Sequence, residues 1–274
     1  MNSKLTEIKI SETQESIISN ERSTFKIRES NMQLSKLTKE LKIAETIMKT
    51  PDTFLSAPFI NSVGRLKQIC DKIEEEESAL LSMTKNRDFR GMNTFLEKTT
   101  SQKIHDLTIE FEKTLCTFIP EDKGKIVEKL MLNSGGTMET VNKQYRVLFG
   151  KGRWFELVCH GIIATSLRKS ITEFILKSDQ EVLGRTGFWH ETDLILMTQD
   201  YSAIFEVKSD TWGRNDVLKI IAQREDVGSD IGVLLTLQKS PQNFVPASKA
   251  HRIKVFSFYD NGVEGFKKWI SNEI

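Results

Sequence analysis

The chain has 274 residues, of which 28% are charged and 38% are hydrophobic, and its formal net charge is +1. This composition is typical of a globular protein and excludes wholesale disorder. The length suggests one or two domains, and we expect two. With a net charge near zero, the chain lacks the overall excess of basic residues that is common in nucleic-acid-binding proteins. An acidic metal site within a locally basic groove would, however, also sum to about zero.

Cysteine content and hydropathy narrow the class of protein further. The three cysteines, Cys70, Cys116 and Cys159, lie far apart and lack zinc-ligand spacing, so we interpret them as reduced structural thiols. No stretch approaches the roughly 18 apolar residues of a membrane span, and the N-terminus lacks the apolar core of a signal peptide. We therefore expect an intracellular, cytoplasmic protein with no membrane partner.

Residues 15–116 carry apolar side chains at helical spacing and predict an all-α region within a first domain of residues 1–120. Pro51 should end a first helix, and the apolar pattern resumes at Phe59. A third helix is expected over about 92–118. The apolar positions of the first helix are Leu34, Leu37, Leu41, Ala44 and Met48.

The heptad-like spacing of this region is compatible with two structures. One is an intramolecular helical hairpin or small bundle, and the other is a coiled coil through which two copies would form a homodimer. The heptads are few and are broken by prolines, so the repeat is short for an extended coiled coil. Residues 121–150, with Pro120 just before them and Gly135-Gly136 within them, are interpreted as a linker.

After residue 150 the pattern changes to short apolar runs separated by helical segments, which is typical of an α/β domain. The predicted order over 151–274 is helix, three strands, helix, two strands, helix. The sequence therefore predicts a mixed β-sheet flanked by helices. The strands are expected at 171–176, 192–197, 202–207, 231–237 and 253–258, and the helices at 152–168, 215–227 and 262–272.

Two neighbouring predicted strands carry the candidate catalytic and metal-binding residues. In the run Phe205-Glu206-Val207-Lys208, Glu206 and Lys208 share one face of a strand because residues two apart point the same way. By itself this pair could be a surface ion pair. The preceding strand, however, places Asp193 directly ahead of an apolar run, and the polar segment 198–201 is typical of a hairpin turn.

An antiparallel hairpin with its tip near residues 199–200 places Asp193 about opposite Glu206. Paired strand residues lie about 5 Å apart at Cα, so the two carboxylates would repel each other unless a cation lay between them. Oxygen ligands of this kind suit a hard divalent cation. The pattern therefore predicts a Mg²⁺ or Mn²⁺ site.

This arrangement resembles the signature of the PD-(D/E)XK nucleases, which have a restriction-endonuclease-like fold. Asp193 matches the first acid, and Glu206-x-Lys208 matches the second acid and the lysine; Thr192 stands where the signature often has proline. The resemblance implies that Asp193, Glu206, Glu156 and the carbonyl of Val207 bind the metal, and that Lys208 assists hydrolysis. It covers residues 150–274 only.

Three further residues enter through the same resemblance. Many members carry a glutamate on the helix before the first strand, and Glu156 resembles it; without the family it would be interpreted as a surface residue. A polar residue on the helix after the signature often approaches the site, and Gln223 is the candidate, although Val227 stands where one subgroup has tyrosine. His160 is either a neighbour of the site or a structural histidine.

The resemblance implies metal-dependent hydrolysis of phosphodiester bonds, with DNA expected over RNA and an endonuclease as the leading hypothesis. Three alternatives remain open. The domain could be an inactive relative that binds nucleic acid or oligomerises, the substrate could be RNA, or the helical region could control the nuclease. The protein would contact the backbone of either DNA or RNA through phosphate, so the sequence does not distinguish a DNA substrate from an RNA substrate.

Overall fold

Eight strands form one mixed sheet in the computed structural model, which describes residues 5–10, 15–30, 42–85, 90–116, 144–171, 173–239 and 251–273. Strand order in the sheet follows chain order, β1 to β8. Neighbours from β1 to β6 are antiparallel, whereas β6, β7 and β8 run parallel. The strands are β1 (Thr6–Lys9), β2 (Glu15–Ser19), β3 (Thr24–Glu29), β4 (Ile175–Leu183), β5 (Trp189–Met197), β6 (Ser202–Lys208), β7 (Ile231–Thr236) and β8 (Ile253–Ser257).

Six α-helices accompany the sheet within the described ranges. They are α1 (Lys42–Lys49), α2 (Ala57–Lys85), α3 (Arg90–Cys116), α4 (Arg153–Ser170), α5 (Arg214–Val227) and α6 (Phe258–Glu273). A short 3₁₀ helix covers Pro51–Leu55, and a π-helical turn covers Arg146–Gly150. In these segments no helix has the length and apolar content needed to cross a membrane.

Contacts divide the chain into two units. The first comprises Met1–Thr53 and Trp154–Ile274, and the second comprises Phe54–Arg153. In the second unit α2 and α3 lie antiparallel, since Arg65 pairs with Glu110 while Glu76, further along α2, pairs with the earlier residue Lys103. The helical hairpin therefore consists of α2 and α3.

The sheet unit is centred on strands that are buried on both faces. Leu194 to Met197 of β5 are fully buried, and every residue of β6 except Lys208 is buried. Strands of this kind occur at the centre of a sheet that is covered on both sides. Helix α5 packs on this core through Ile220 and Val227.

The helical prediction is wrong for residues 15–29, which form β2 and β3. Phe25 and Ile27 are buried and alternate with the partly exposed Lys26 and Arg28, which is the two-residue period of a strand. Ile27 pairs with Val182 of β4, so the N-terminal strands extend the same sheet. Long-range pairing of this kind overrides a helical pattern read over a local window.

The other N-terminal predictions have mixed outcomes. The predicted first helix is α1 from Lys42 onward, while residues 31–41 lie outside the described ranges. The third predicted helix corresponds to α3, which pairs with α2. Most of the proposed linker 121–150 lies outside the described residues, so the division at 120 and 150 stays a prediction.

The predicted order of elements after residue 150 is confirmed: α4, β4, β5, β6, α5, β7, β8 and α6 follow one another as expected. The first strand is misplaced, since it covers Ile175–Leu183 and not 171–176. Its centre, Lys177 to Gln180, is polar, so this strand does not stand out in the sequence as an apolar run. The α/β class of this part is as the sequence predicts.

We expect Phe25→Ala to lower the free energy of unfolding of the sheet unit by about 3–5 kcal/mol, because Phe25 is 1% exposed within the main core. All four tryptophans, at positions 154, 189, 212 and 269, belong to this unit, so denaturation followed by tryptophan fluorescence reports on it. The neighbouring exposed Thr24→Ala is the control. An unchanged transition for Phe25→Ala would show that β3 is not part of this core.

Candidate active site

The β5–β6 hairpin sets the geometry of the candidate site. Leu194 pairs with Phe205 and Ile195 with Ile204, which is the register predicted from the sequence. In this register Asp193 stands one residue beyond the last pair and opposite Glu206. The two candidate acids therefore lie on adjacent strands at the end where the hairpin opens.

Asp193 occupies a position at which the ladder is interrupted on both sides. Pairing with β6 ends at Leu194, and pairing with β4 skips the residue opposite Asp193, which is Asp179. Asp179 has a φ of 54°, which an L residue with a side chain rarely adopts. The carboxylate Oδ2 of Asp193 accepts a hydrogen bond from the Val207 amide at 2.6 Å. This bond orients Asp193 towards the Glu206–Lys208 segment.

Glu206 is a buried carboxylate, with 2% of its surface exposed. Lys219 of α5 donates to both of its oxygens at 2.8 Å, and the Nζ of Lys208 lies 2.8 Å from Oε1. A buried carboxylate without partners would be strongly destabilising, so these two ammonium groups supply the partners that its burial requires.

Lys208 lies among three acids. Its ammonium group contacts Glu206 and lies 3.5 Å from Asp216 of α5. Burial by itself would lower the pKa of Lys208, but the hydrogen bond to Glu206 and the charges of Glu206, Asp193 and Asp216 outweigh it and raise the pKa to about 12. Lys208 is therefore a permanent cation at neutral pH.

The start of α5 brings its charged side chains to this site. The carboxylate of Asp216 accepts a hydrogen bond from the Gly213 amide at 2.8 Å, which caps the helix and fixes its first turn. Lys219 follows one turn later on the same side, beside the buried Ile220. Packing of Ile220 on the sheet thus directs Lys219 towards Glu206.

Glu156 is buried in the first turn of α4, with 5% of its surface exposed. Burial, followed by the charges of Glu156 and Asp193, raises the pKa of the Cys159 thiol well above its ordinary value. The charges of both carboxylates thus act on one thiol. The surface interpretation of Glu156 does not hold, because this side chain is buried.

Gln223 and His160 contact other groups. The amide of Gln223 donates to the carbonyl of Glu191 at 2.9 Å, so Gln223 supports β5 two residues before Asp193. His160 Nδ1 lies 2.6 Å from the hydroxyl of Ser178 on β4. Burial, followed by the charge of Arg168, lowers the pKa of His160 to about 4, so the ring is neutral at neutral pH.

The structure adds Lys219 and Asp216 to the candidate site, whereas the sequence interpretation chose Gln223 on this helix. Lys219 and Gln223 are four residues apart and share a face of the helix, so their spacing does not indicate which of them reaches Glu206. Lys219 does so because it lies nearer the end of β6, whereas Gln223 lies beside β5.

The donor set suits a hard divalent cation with few protein ligands. Within the described residues no cluster of three or more His, Cys, Asp or Glu side chains is arranged to hold a metal ion. Mg²⁺ commonly binds through one or two carboxylates and keeps several waters. Asp193 and Glu206 are two carboxylates of this kind on adjacent strands.

The chain has limited similarity to known proteins. No protein-family model matches the chain, and no curated protein sequence matches it. Protein VC1899 from Vibrio cholerae has a similar structure, with a TM-score of 0.47 and 14% identity over 89% of this chain and 58% of that one. Can2 from Sulfobacillus thermosulfidooxidans, solved in complex with cyclic tetra-adenylate, has a TM-score of 0.45 and 12% identity over 96% and 66%. The chain thus spans 58% and 66% of the lengths of these two proteins.

We expect the ammonium group of Lys208 to titrate near pH 12 in the folded chain. Because folding raises this pKa above 10.5, the interaction stabilises the chain below that pH, and the stabilisation is lost as the pH rises towards 12. Glu206→Gln should lower the pKa, since burial remains while the main favourable partner is lost. Carbon-13 NMR of labelled lysine, with Lys208→Arg to assign the signal, measures both values. An equal pKa in the two proteins would contradict the coupling.

Proposed function

We propose that this chain is a metal-dependent phosphodiesterase of the PD-(D/E)XK kind, with a restriction-endonuclease-like fold over residues 151–274. One observation carries the proposal: the buried Glu206 lies against Lys208, and Asp193 is bound to the amide of Val207 between them. An acid, a second acid and a lysine are brought together at the open end of one hairpin. A purely structural ion pair would not require the second acid.

In this proposal Asp193, Glu206 and the Val207 carbonyl hold Mg²⁺ or Mn²⁺, with Glu156 as a further ligand or as a group that orients one. When bound, the cation would lower the pKa of a water molecule and neutralise charge on the scissile phosphate. The buried surroundings of Glu206 exclude bulk water and strengthen each of these electrostatic interactions.

Lys208 has a role that follows from its charge. With a pKa of about 12 it holds its proton at neutral pH and does not serve as a general base. Its ammonium group is a donor, suited to orienting a water molecule or to stabilising the negative charge that develops on phosphate oxygen. Gln223 supports this geometry from a distance by holding the backbone at Glu191.

The proposed substrate is nucleic acid, with DNA ahead of RNA and internal cleavage ahead of attack at ends. The near-zero net charge means that affinity would come from local contacts around the site. Cleavage of both strands of a duplex requires two sites, so a homodimer formed through the N-terminal helices is part of the proposal. A binding scaffold without activity is the competing function.

The test is a cleavage assay on supercoiled plasmid, linear duplex, single-stranded DNA and RNA, with Mg²⁺ or Mn²⁺ against EDTA. We expect metal-dependent cutting that falls by about 100-fold or more in Asp193→Asn, which loses the charge of a proposed metal ligand, and in Lys208→Met, which loses the ammonium group at the reacting phosphate. Asp200→Asn, on the exposed tip of the same hairpin, and Lys49→Met, in an exposed ion pair, are matched controls.

The pattern across substrates decides between the alternatives. Cutting of RNA alone would move the substrate class from DNA to RNA. Absence of cutting on every substrate, with nucleic-acid binding retained, would contradict the enzymatic proposal and support the scaffold. Activity that survives in Asp193→Asn would show that the centre lies elsewhere.

A further inference from the structure

The carboxylate of Glu206 is already occupied by cations from the chain itself. Lys219 Nζ lies 2.8 Å from Oε1 and 2.8 Å from Oε2, and Lys208 Nζ lies 2.8 Å from Oε1. A divalent cation that shared these oxygens would be repelled by an ammonium group at the same short distance. If Glu206 is a metal ligand, as proposed above, at least one lysine must leave it.

The two lysines differ in how readily they can leave. Lys208 has 28% of its side chain exposed and is also held by the charges of Asp216 and Asp193. Lys219 has 45% exposed, and Glu206 is the partner that the structure gives it. A flexible, well-hydrated ammonium group at the surface is displaced at lower cost than one held among three acids.

We infer that Lys219 is a displaceable counter-ion, which neutralises Glu206 until a divalent cation binds and then turns to the phosphate of the substrate. Lys219 is thus a positioning residue that regulates loading of the site. This inference rests on the proposed function, because it requires Glu206 to bind a metal ion.

Coupling between the two ligands follows from this exchange. A metal ion that binds alone must remove Lys219 from Glu206 and leave the ammonium group in water. A phosphate group in the site offers that ammonium group a new partner, so each ligand increases the affinity for the other by the same factor. The chain would therefore hold metal weakly without nucleic acid and more tightly with it.

The first experiment measures Mn²⁺ binding to the full chain by calorimetry, with no nucleic acid present. We expect Lys219→Met to bind Mn²⁺ more tightly than the wild type, on the order of tenfold, because no ammonium group competes for Glu206. Lys219→Arg should bind as weakly as the wild type. Lys49→Met removes the same charge from an exposed pair and should leave the affinity unchanged.

Thermal unfolding separates this role from a merely structural one. Without metal, Lys219→Met should melt at a lower temperature than the wild type, because Glu206 loses a partner. Saturating Mn²⁺ should remove most of that difference. If Lys219→Met does not fold, Lys219→Gln serves for the same two measurements. Metal affinity in these variants that is equal to or below that of the wild type would overturn the inference.

A duplex with phosphorothioate linkages throughout tests the coupling. It should raise the Mn²⁺ affinity of the wild type about tenfold and that of Lys219→Met clearly less. An equal effect on both proteins would overturn the coupling. If neither protein binds Mn²⁺, the proposed function and this inference fail together; if both bind it equally well, only the inference fails.

Discussion

Burial of the Glu206 carboxylate is the constraint on which the rest of the site depends. A charged oxygen pair removed from water requires cationic partners, and the chain supplies them from two elements, Lys208 on β6 and Lys219 on α5. Helix α5 must therefore lie at a defined position along the sheet. The apolar residues Ile220 and Val227 provide that position by packing on the core. Core packing and site electrostatics thus impose the same placement on one helix.

The hairpin β5–β6 combines a rigid part with an open end. Four paired residues on each strand, buried on both faces, fix the register from Leu194–Phe205 to Met197–Ser202. Beyond Leu194 the ladder stops, and the unusual backbone of Asp179 interrupts pairing on the other side. Asp193 is thereby released from regular pairing while its backbone remains held by a well-packed strand. A side chain held in this way can be oriented by a single hydrogen bond, here to the Val207 amide.

The N-terminal strands show how a distant part of the chain completes the sheet that carries the site. The backbone of Ser30 donates to the carbonyl of Asp179, and β3 pairs with β4 through Ile27 and Val182. Without this partner, β4 would be an edge strand with unpaired backbone groups. The irregular backbone at Asp179, opposite Asp193, is therefore supported by Ser30 and β3, more than a hundred positions earlier in the chain.

The sequence by itself determined the order of elements after residue 150, the register of the β5–β6 hairpin and the pairing of Asp193 with the Glu206-x-Lys208 strand. These follow from short-range rules, since strand period, turn position and residue numbering act within about fifteen residues. The tertiary structure alone decided that residues 15–29 join the sheet, that Lys219 and not Gln223 reaches Glu206, and that Glu156 is buried. Each of these depends on contacts between segments far apart in the chain, and local periodicity carries no information about which distant segment a strand or a helix face will meet.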